Sequence, residues 1–410
     1  MNQKAQRPLE SIVVLDLSRV LSGPYCTMML ADMGADVWKV EPPSGDDSRG
    51  LVPPTINGES AYFLSVNRNK RDICIDLTQE AGRRVLLCLA KKADVVIENF
   101  RPDQKRRLGI GYDDVVKVNP DVIYCSISGF GQTGPYRDRP GLDNIFQGMA
   151  GLMAVTGDPD GAPLKAGERI ADVLAGVNAA FGITTALFHR LRTGQGQYLE
   201  LALVDCLIAA QAPLVSYFFA TGEQPPRAGN GSIFSAPTGT FATADRPLNI
   251  CVMNEKHWRK LSTAIGRDEW LNDARFSTNA QRVRNMAALD PLIAAELKRE
   301  VAAHWLALFS AAGVPCGLAY SYAEVFADPQ VRHNGLLQEV PHPVIGVQKV
   351  IGQPIRLSRS PATVTAPAPR LGEHSEEILR AAGISSADIS ALIESGTVRQ
   401  LTPATESTGG

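Results

Sequence analysis

Ser11-Ile12-Val13-Val14-Leu15-Asp16-Leu17, a helix-like run from Pro24 to Met33, and then Asp36-Val37-Trp38-Lys39-Val40 decide the fold class. The first and third segments are short, apolar and rich in β-branched residues, as buried strands are. Between them Pro24 fits the first helical position, where its missing N–H is no loss, and Gly34 supplies a C-terminal stop. Strand, helix and strand in this order make a βαβ unit, whose two strands lie parallel. The pattern recurs as strand Arg71–Leu77, helix Glu80–Lys92 and strand Asp94–Asn99. A short basic helix Asp103–Leu108, a helix around Asp113–Val118 and strand Asp121–Ser128 follow. The expected class is α/β, a parallel sheet with helices on both faces.

Further along, Asp143 to Phe188 reads as mostly helical, Gln197–Leu203 as a strand, and the chain then as one long helix to about Ala220. Val173–Phe188 and Leu207–Ala220 are apolar enough to be weighed as membrane spans. The first is short and holds Asn178, Thr184 and Thr185, the second holds Gln211 and Pro213, and both are expected to be buried helices. The composition turns to Gly, Pro and polar residues near Thr221. The expected layout is therefore a large domain over 1–220, a linker over 221–233 and a small domain over 234–322. The small domain has strands at Gly239–Phe241 and Leu248–Val252. A return to the large domain follows over 323–400, with a disordered tail over 401–410. Within the return, Ser358–Arg370 should be extended, and Ser375–Ala382 and Ser386–Ser395 should form a terminal helix pair.

Composition narrows function mainly by exclusion. The 410 residues are 44% hydrophobic and 20% charged, with a formal net charge of −2, which argues against a nucleic-acid partner. The N-terminal residues lack the apolar stretch of a signal peptide. Seven scattered cysteines, with no C-x-x-C pair, suggest reduced thiols in the cytoplasm. None of the six histidines stands at a metal-ligand spacing from another His, Cys or carboxylate, so no metal site is expected.

Three features carry chemistry. Gly129-Phe130-Gly131-Gln132-Thr133-Gly134 matches G-x-G-x-x-G, but Pro135 and Pro140 interrupt the helix that a dinucleotide pyrophosphate needs. The loop is better suited to bringing backbone close to another ligand. Basic residues recur at strand ends: Arg49, Asn67-Arg68-Asn69-Lys70-Arg71, Arg101, and the trio Lys105-Arg106-Arg107. They could hold phosphates, although the trio alone reads better as a solvated helix face. Asp172, a lone carboxylate opening a long uncharged helical stretch, is a helix cap or a nucleophile, and its local sequence favours the cap. No G-x-S-x-G elbow is present, and His374 reads as a helix-start residue before an acid–base one.

Together, several blocks resemble the class III coenzyme A transferases. They are Val14 to Pro24, Gly34 to Glu41, Asn67 to Arg71, Glu98-Asn99-Phe100-Arg101-Pro102, Ser128 to Pro135, Arg192 to Gln197, Pro315-Cys316-Gly317 and Leu371-Gly372-Glu373-His374. The resemblance runs through nearly the whole chain in the same order. It implies an α/β fold with a Rossmann-like large domain built from both chain ends, a smaller α+β domain, and an interlinked homodimer. It implies coenzyme A as co-substrate, no tightly bound cofactor, and no membrane partner. It places the catalytic aspartate on Asp172. It places the coenzyme A contacts on Val20, Leu21, Asn69, Lys70, Arg71, Asn99, Phe100, Arg101 and Arg107.

The resemblance also narrows the substrate. Formyl-CoA transferases carry glutamine where this chain has Leu21 and arginine where it has Pro42, and their glycine-rich flap survives only as Gly229-Asn230-Gly231-Ser232. The closer likeness is to the branch using succinyl-CoA with glutarate-like dicarboxylates. Candidate substrate contacts are then Arg19 or Arg68 for a distal carboxylate, with Asp143, Gly229 and Gly231. The sister α-methylacyl-CoA racemases place histidine in a Gly-His-Asp triplet. Here it is Gly141-Leu142-Asp143, and leucine moves no proton. A non-catalytic CoA-binding protein is the remaining alternative.

Overall fold

The computed structural model describes residues 7–401, and the expected disordered tail lies, from residue 402 on, outside the described residues. Six parallel strands form the main sheet: β1 (Val13–Asp16), β2 (Asp36–Glu41), β3 (Lys70–Ile75), β4 (Val95–Glu98), β5 (Ile123–Ser128) and β6 (Gln197–Ala202). Their order is β3-β2-β1-β4-β5-β6, and a two-residue strand, Val398–Arg399, closes the β3 edge antiparallel. Val14, Leu15, Ile73, Val96, Ile97 and Ile123 are fully buried. That follows from helices packing on both faces, so the strands read as continuous apolar runs. The order in which strands are added to the sheet reverses between β1 and β4, which opens a crevice beyond the carboxyl ends of those strands.

The chain forms two compact units. The first contains residues 7–150, 168–210 and 330–401, so both chain ends build it. The second contains 151–167 and 211–329. Its three-stranded antiparallel sheet (Thr238–Phe241, Leu248–Cys251, Cys316–Leu318) packs on helices through Trp258, Leu289, Ile293 and Phe309.

Two expectations need correction here. The second unit begins at Gln211, ahead of the 221–233 stretch, because the long helix expected up to Ala220 is broken into Leu203–Ala209 and Ala212–Thr221. Pro213 lies in the first turn of the second piece, a position that suits proline because its missing N–H has no intrahelical acceptor there. Residues 151–167 join the second unit because Arg227 donates to the carbonyls of Asp158, Pro159 and Gly161, and Gly229 N–H to that of Gly157.

The helix Ile170–Thr193 is long and apolar enough, by length and composition, to cross a membrane. Its buried stripe is made mostly of small residues, Ala171, Ala175, Gly176, Ala179, Ala180 and Ala186, with Ile183, and the helix packs on the helix Ser22–Asp32 and the sheet. Burial holds for that stripe alone, since Phe181, Phe188 and Leu191 on the same helix are exposed.

Candidate active site

The crevice at the strand ends contains a cavity of about 260 Å³. The loop after β1 contributes Arg19, Val20 and Ser22, the loop after β4 Asn99, Phe100 and Arg101, and the end of β5 Ser128 and Gly129. Asp143 and Phe146, from the helix Asp143–Met149, and Arg169 and Asp172, from the start of Ile170–Thr193, complete the wall. A Cβ on Gly129 or on Gly141 would meet the Phe146 ring at 2.5 Å. Gly129 and Gly141 therefore let one aromatic ring seat against the cavity, which accounts for Gly129 without a bound pyrophosphate.

The long helix is brought in close at its first turns. A Cβ on Gly176 would lie 2.7 Å from the Ser22 carbonyl, so only glycine lets this turn approach the helix Ser22–Asp32 so nearly. The same approach sets the Asp172 carboxylate within a hydrogen bond of the Ser22 side chain. Asp172 is not the cap. Arg169 occupies the N-cap position, and the first-turn Ala171 N–H, which has no intrahelical acceptor, is taken by Asp143 Oδ1 at 2.8 Å, with Gln147 Nε2 donating to Asp143 Oδ2 at 2.6 Å. Burial raises the Asp172 carboxyl, the Asp143 charge raises it further, and Arg169 and the Ser22 bond pull back, leaving it pushed up to about 6. The helix terminus does little to ionise Asp172, because Asp143 takes the terminal N–H and opposes a second charge.

The loop after β1 is held under strain. Val20 has φ +66°, a left-handed conformation unfavourable for a β-branched residue. Its N–H donates to Asp46 Oδ1 at 3.1 Å, and the buried Asp46 in turn pairs with Lys39 at 2.8 Å. Asn99 clamps the neighbouring residue, accepting from Arg19 N–H and donating to its carbonyl, each at 2.8 Å. The Lys39 ammonium and the hydrogen bonds from Ser48 hold Asp46 well below the ordinary carboxylate range against the upward push of burial.

A profile of CoA-transferase family III matches residues 9–375. The chain belongs to that family. It is 38% identical over 377 residues to a succinyl-CoA:glutarate CoA-transferase of Mus musculus, covering 92% of this chain and 86% of that protein. It is 40% identical over 379 residues to a succinate–glutarate CoA-transferase of Agrobacterium fabrum, covering 91% and 95%. A crystal structure of a CAIB/BAIF family protein from Brucella suis superposes with a TM-score of 0.83 at 39% identity, covering 92% of this chain and all of that one. The protein is thus a CoA-transferase enzyme, with coenzyme A as its co-substrate.

In this transferase the structure divides the expected contacts. Val20, Asn99, Phe100 and Arg101 border the cavity with Asp172, as do Arg19 and Asp143. The side chains of the Asn67–Arg71 block do not. The Lys70 ammonium is fully buried and its three donors go to Asp16, the Pro24 carbonyl and Asn67. Arg68 is buried in a two-point pair with Asp32. Asn69 donates to Asp32 and to the Thr363 carbonyl and accepts from the N–H groups of Thr365 and Ala366, pinning the extended return segment. Arg71 forks onto Asp36 at the sheet.

The remaining candidates also lie away from the cavity wall. Leu21 is buried against Met28 and Val66. Arg107 is exposed on the helix Pro102–Leu108, and Gly229 and Gly231 belong to a loop of the second unit. His374 stands at the start of the helix Ser375–Ala381, with its Nδ1 accepting from Asp72 N–H at 3.2 Å.

Sequence reasoning missed Ser22, Asp47 and Arg169 on the cavity wall. Only Arg169 carried a usable signal, since three residues ahead of Asp172 is one helical turn.

Proposed function

We propose that this transferase moves coenzyme A from a succinyl-type acyl-CoA donor to a carboxylic acid acceptor, itself a dicarboxylate, with Asp172 as covalent nucleophile. One observation carries the reading: Asp172 is a carboxylate at a cavity wall whose helix-capping duty is performed by Asp143. The glutarate enzymes to which the chain is similar support the acceptor class.

A carboxylate oxygen of Asp172 attacks the donor thioester carbon, the C–S bond breaks, and coenzyme A leaves as thiolate with a mixed anhydride behind it. The thiolate then attacks the aspartyl carbonyl carbon, which releases the donor acid and leaves an aspartyl-CoA thioester. The acceptor carboxylate reverses both steps. It attacks the aspartyl carbon to form a second anhydride and free thiolate, and the thiolate takes the acceptor's acyl group while Asp172 is regenerated. No net proton is consumed. Substrate filling the cavity would limit water attack on the anhydrides. Val20, Asn99, Phe100 and Arg101 are the proposed coenzyme A contacts. Because the attacking form is ionised and the carboxyl sits at about 6, exchange should fall as pH drops through that value.

A racemase reading lacks its base, since Leu142 fills the triplet and no histidine borders the cavity. We propose further that the chain acts as an interlinked homodimer in the cytoplasm. Exposed Leu142, Phe181, Phe188 and Leu191 on the first unit and seven free cysteines support this.

The test is intact-protein mass after mixing with succinyl-CoA, followed by hydroxylamine or borohydride trapping. An adduct mapping to Asp172, and loss of exchange with retained CoA binding in Asp172→Ala, is expected. Undiminished exchange in that variant would sink the mechanism.

A further inference from the structure

Three arginines border the Asp172 cavity, and they differ in what they already hold. Arg101 lies at the exposed rim, 3.6 Å from Asp103, and donates to the Asp138 carbonyl at 3.2 Å. Arg19 lies over the Phe100 ring at 5.1 Å. Arg169 has no carboxylate within ion-pair distance among the described residues, and its guanidinium stands over the Tyr62 ring, 5.2 Å from the centroid. Stacking of that kind fixes the plane of a guanidinium while its N–H edge stays open, which suits a carboxylate approaching edge-on.

A second observation points to the same spot. The Tyr62 hydroxyl is buried and has no hydrogen-bond partner, a rare condition for such a group. Arg169 and Asp172 are the charged groups that act on it most strongly, so the orphan hydroxyl, the open guanidinium and the proposed nucleophile share one corner. Arg169 also precedes Asp172 by one turn, and its carbonyl accepts the Val173 N–H at 3.1 Å, which fixes the backbone on which both side chains stand. Tyr62 itself is not on the cavity wall, whereas Arg169 is, so the ring backs a guanidinium that borders the cavity.

We infer that Arg169, seated on the Tyr62 ring, grips the second carboxylate of the acceptor while its first carboxylate reacts at Asp172, and thereby selects dicarboxylates over monocarboxylates of equal length. This rests on the covalent-transfer reading above. It replaces Arg68 as the distal-carboxylate residue, because Arg68 is closed off by Asp32. It favours Arg169 over Arg19 because Arg169 is the cation that acts on the Asp172 carboxylate.

The test compares glutarate with pentanoate as acceptors, with succinyl-CoA as donor. In a ping-pong reaction the acceptor's kcat/KM reports the second half alone, so effects on the donor do not enter. Wild type should prefer glutarate, and Arg169→Gln should lower the glutarate-to-pentanoate ratio by about 10- to 100-fold, the loss of a charge-assisted bidentate contact. Arg169→Lys should recover part of the ratio, and Tyr62→Phe should lower it less. Intact-mass detection of the Asp172 thioester in Arg169→Gln shows that the variant is folded and competent. A ratio unchanged in Arg169→Gln, with both acids depressed equally, overturns the assignment, as does a wild type that takes the two acids equally. A wild type that forms no thioester and uses neither acid overturns the covalent-transfer reading itself.

Discussion

The Asn67–Arg71 block, at the amino end of β3, and the Arg169–Asp172 turn, at the cavity wall, are both short charged segments, yet they do opposite things. In the first, every cation has its partner: Arg68 on Asp32, Lys70 on Asp16, Arg71 on Asp36. In the second, a carboxylate is raised by burial and by a second carboxylate, and the nearby guanidinium has no ion pair. A closed network holds strands and return segment together, whereas an open one stores unmet interactions that a substrate can satisfy. The lesson is that removing a charge should change stability in opposite directions at the two places.

The largest effect belongs to the closed network. Arg68→Met leaves Asp32 buried with only the Asn69 amide donating from this block, and should cost about 3–5 kcal/mol of stability in urea unfolding. Burial already raises Asp32 even with Arg68 present, so the orphaned carboxyl should take up a proton and the loss should be greatest well above its ordinary range. Acceptor preference should stay as in wild type. If Arg68→Met instead changed acceptor preference at unchanged stability, the division between closed and open regions would collapse.

Asp172→Asn makes the opposite case. The folded carboxyl is raised from 3.8 to about 6, so the folded state binds that proton more tightly than the unfolded chain does. The ionised form therefore costs stability at neutral pH, a cost that declines as pH falls through 6 and disappears below about 4. Asp172→Asn should accordingly be more stable than wild type by about 2–3 kcal/mol at pH 7 and equal to it near pH 4, while exchange is lost. Denaturant midpoints measured at both values check this. A variant less stable at pH 7 would mean that Asp172 is a structural cap after all.

How these regions appear in the sequence explains what could be read there. The strands were legible because each is a short apolar run bounded by turn residues, and Asp172 because it is alone before a long uncharged helix. The role of Arg68, Lys70 and Arg71 was not. Their partners lie 36, 54 and 35 residues away, and a run of cations looks the same whether carboxylates or phosphates meet it. Asp143 was placed at the site, but not its capping of Ala171 across 28 residues, which also decides the charge state of Asp172. The strand Val398–Arg399 has only two residues, too few to show a period.

Val20 belongs to both regions, since its N–H is fixed by Asp46 in a buried ion pair and its body faces the cavity. At φ +66° a side chain costs about 1–2 kcal/mol relative to glycine. Val20→Ala and Val20→Gly both lose the contact with the small cluster around Leu21 and Met28, but only glycine relieves the backbone. Val20→Gly should therefore be more stable than Val20→Ala by about 1 kcal/mol, which inverts the usual order of these two residues. Both should lower kcat/KM several-fold if the strained loop shapes the coenzyme A side of the cavity. Thermal unfolding of the pair is the decisive comparison, because side-chain contacts cancel between them. Alanine above glycine would show that the loop relaxes out of the left-handed conformation once valine is gone, and that Asp46 alone does not hold it there.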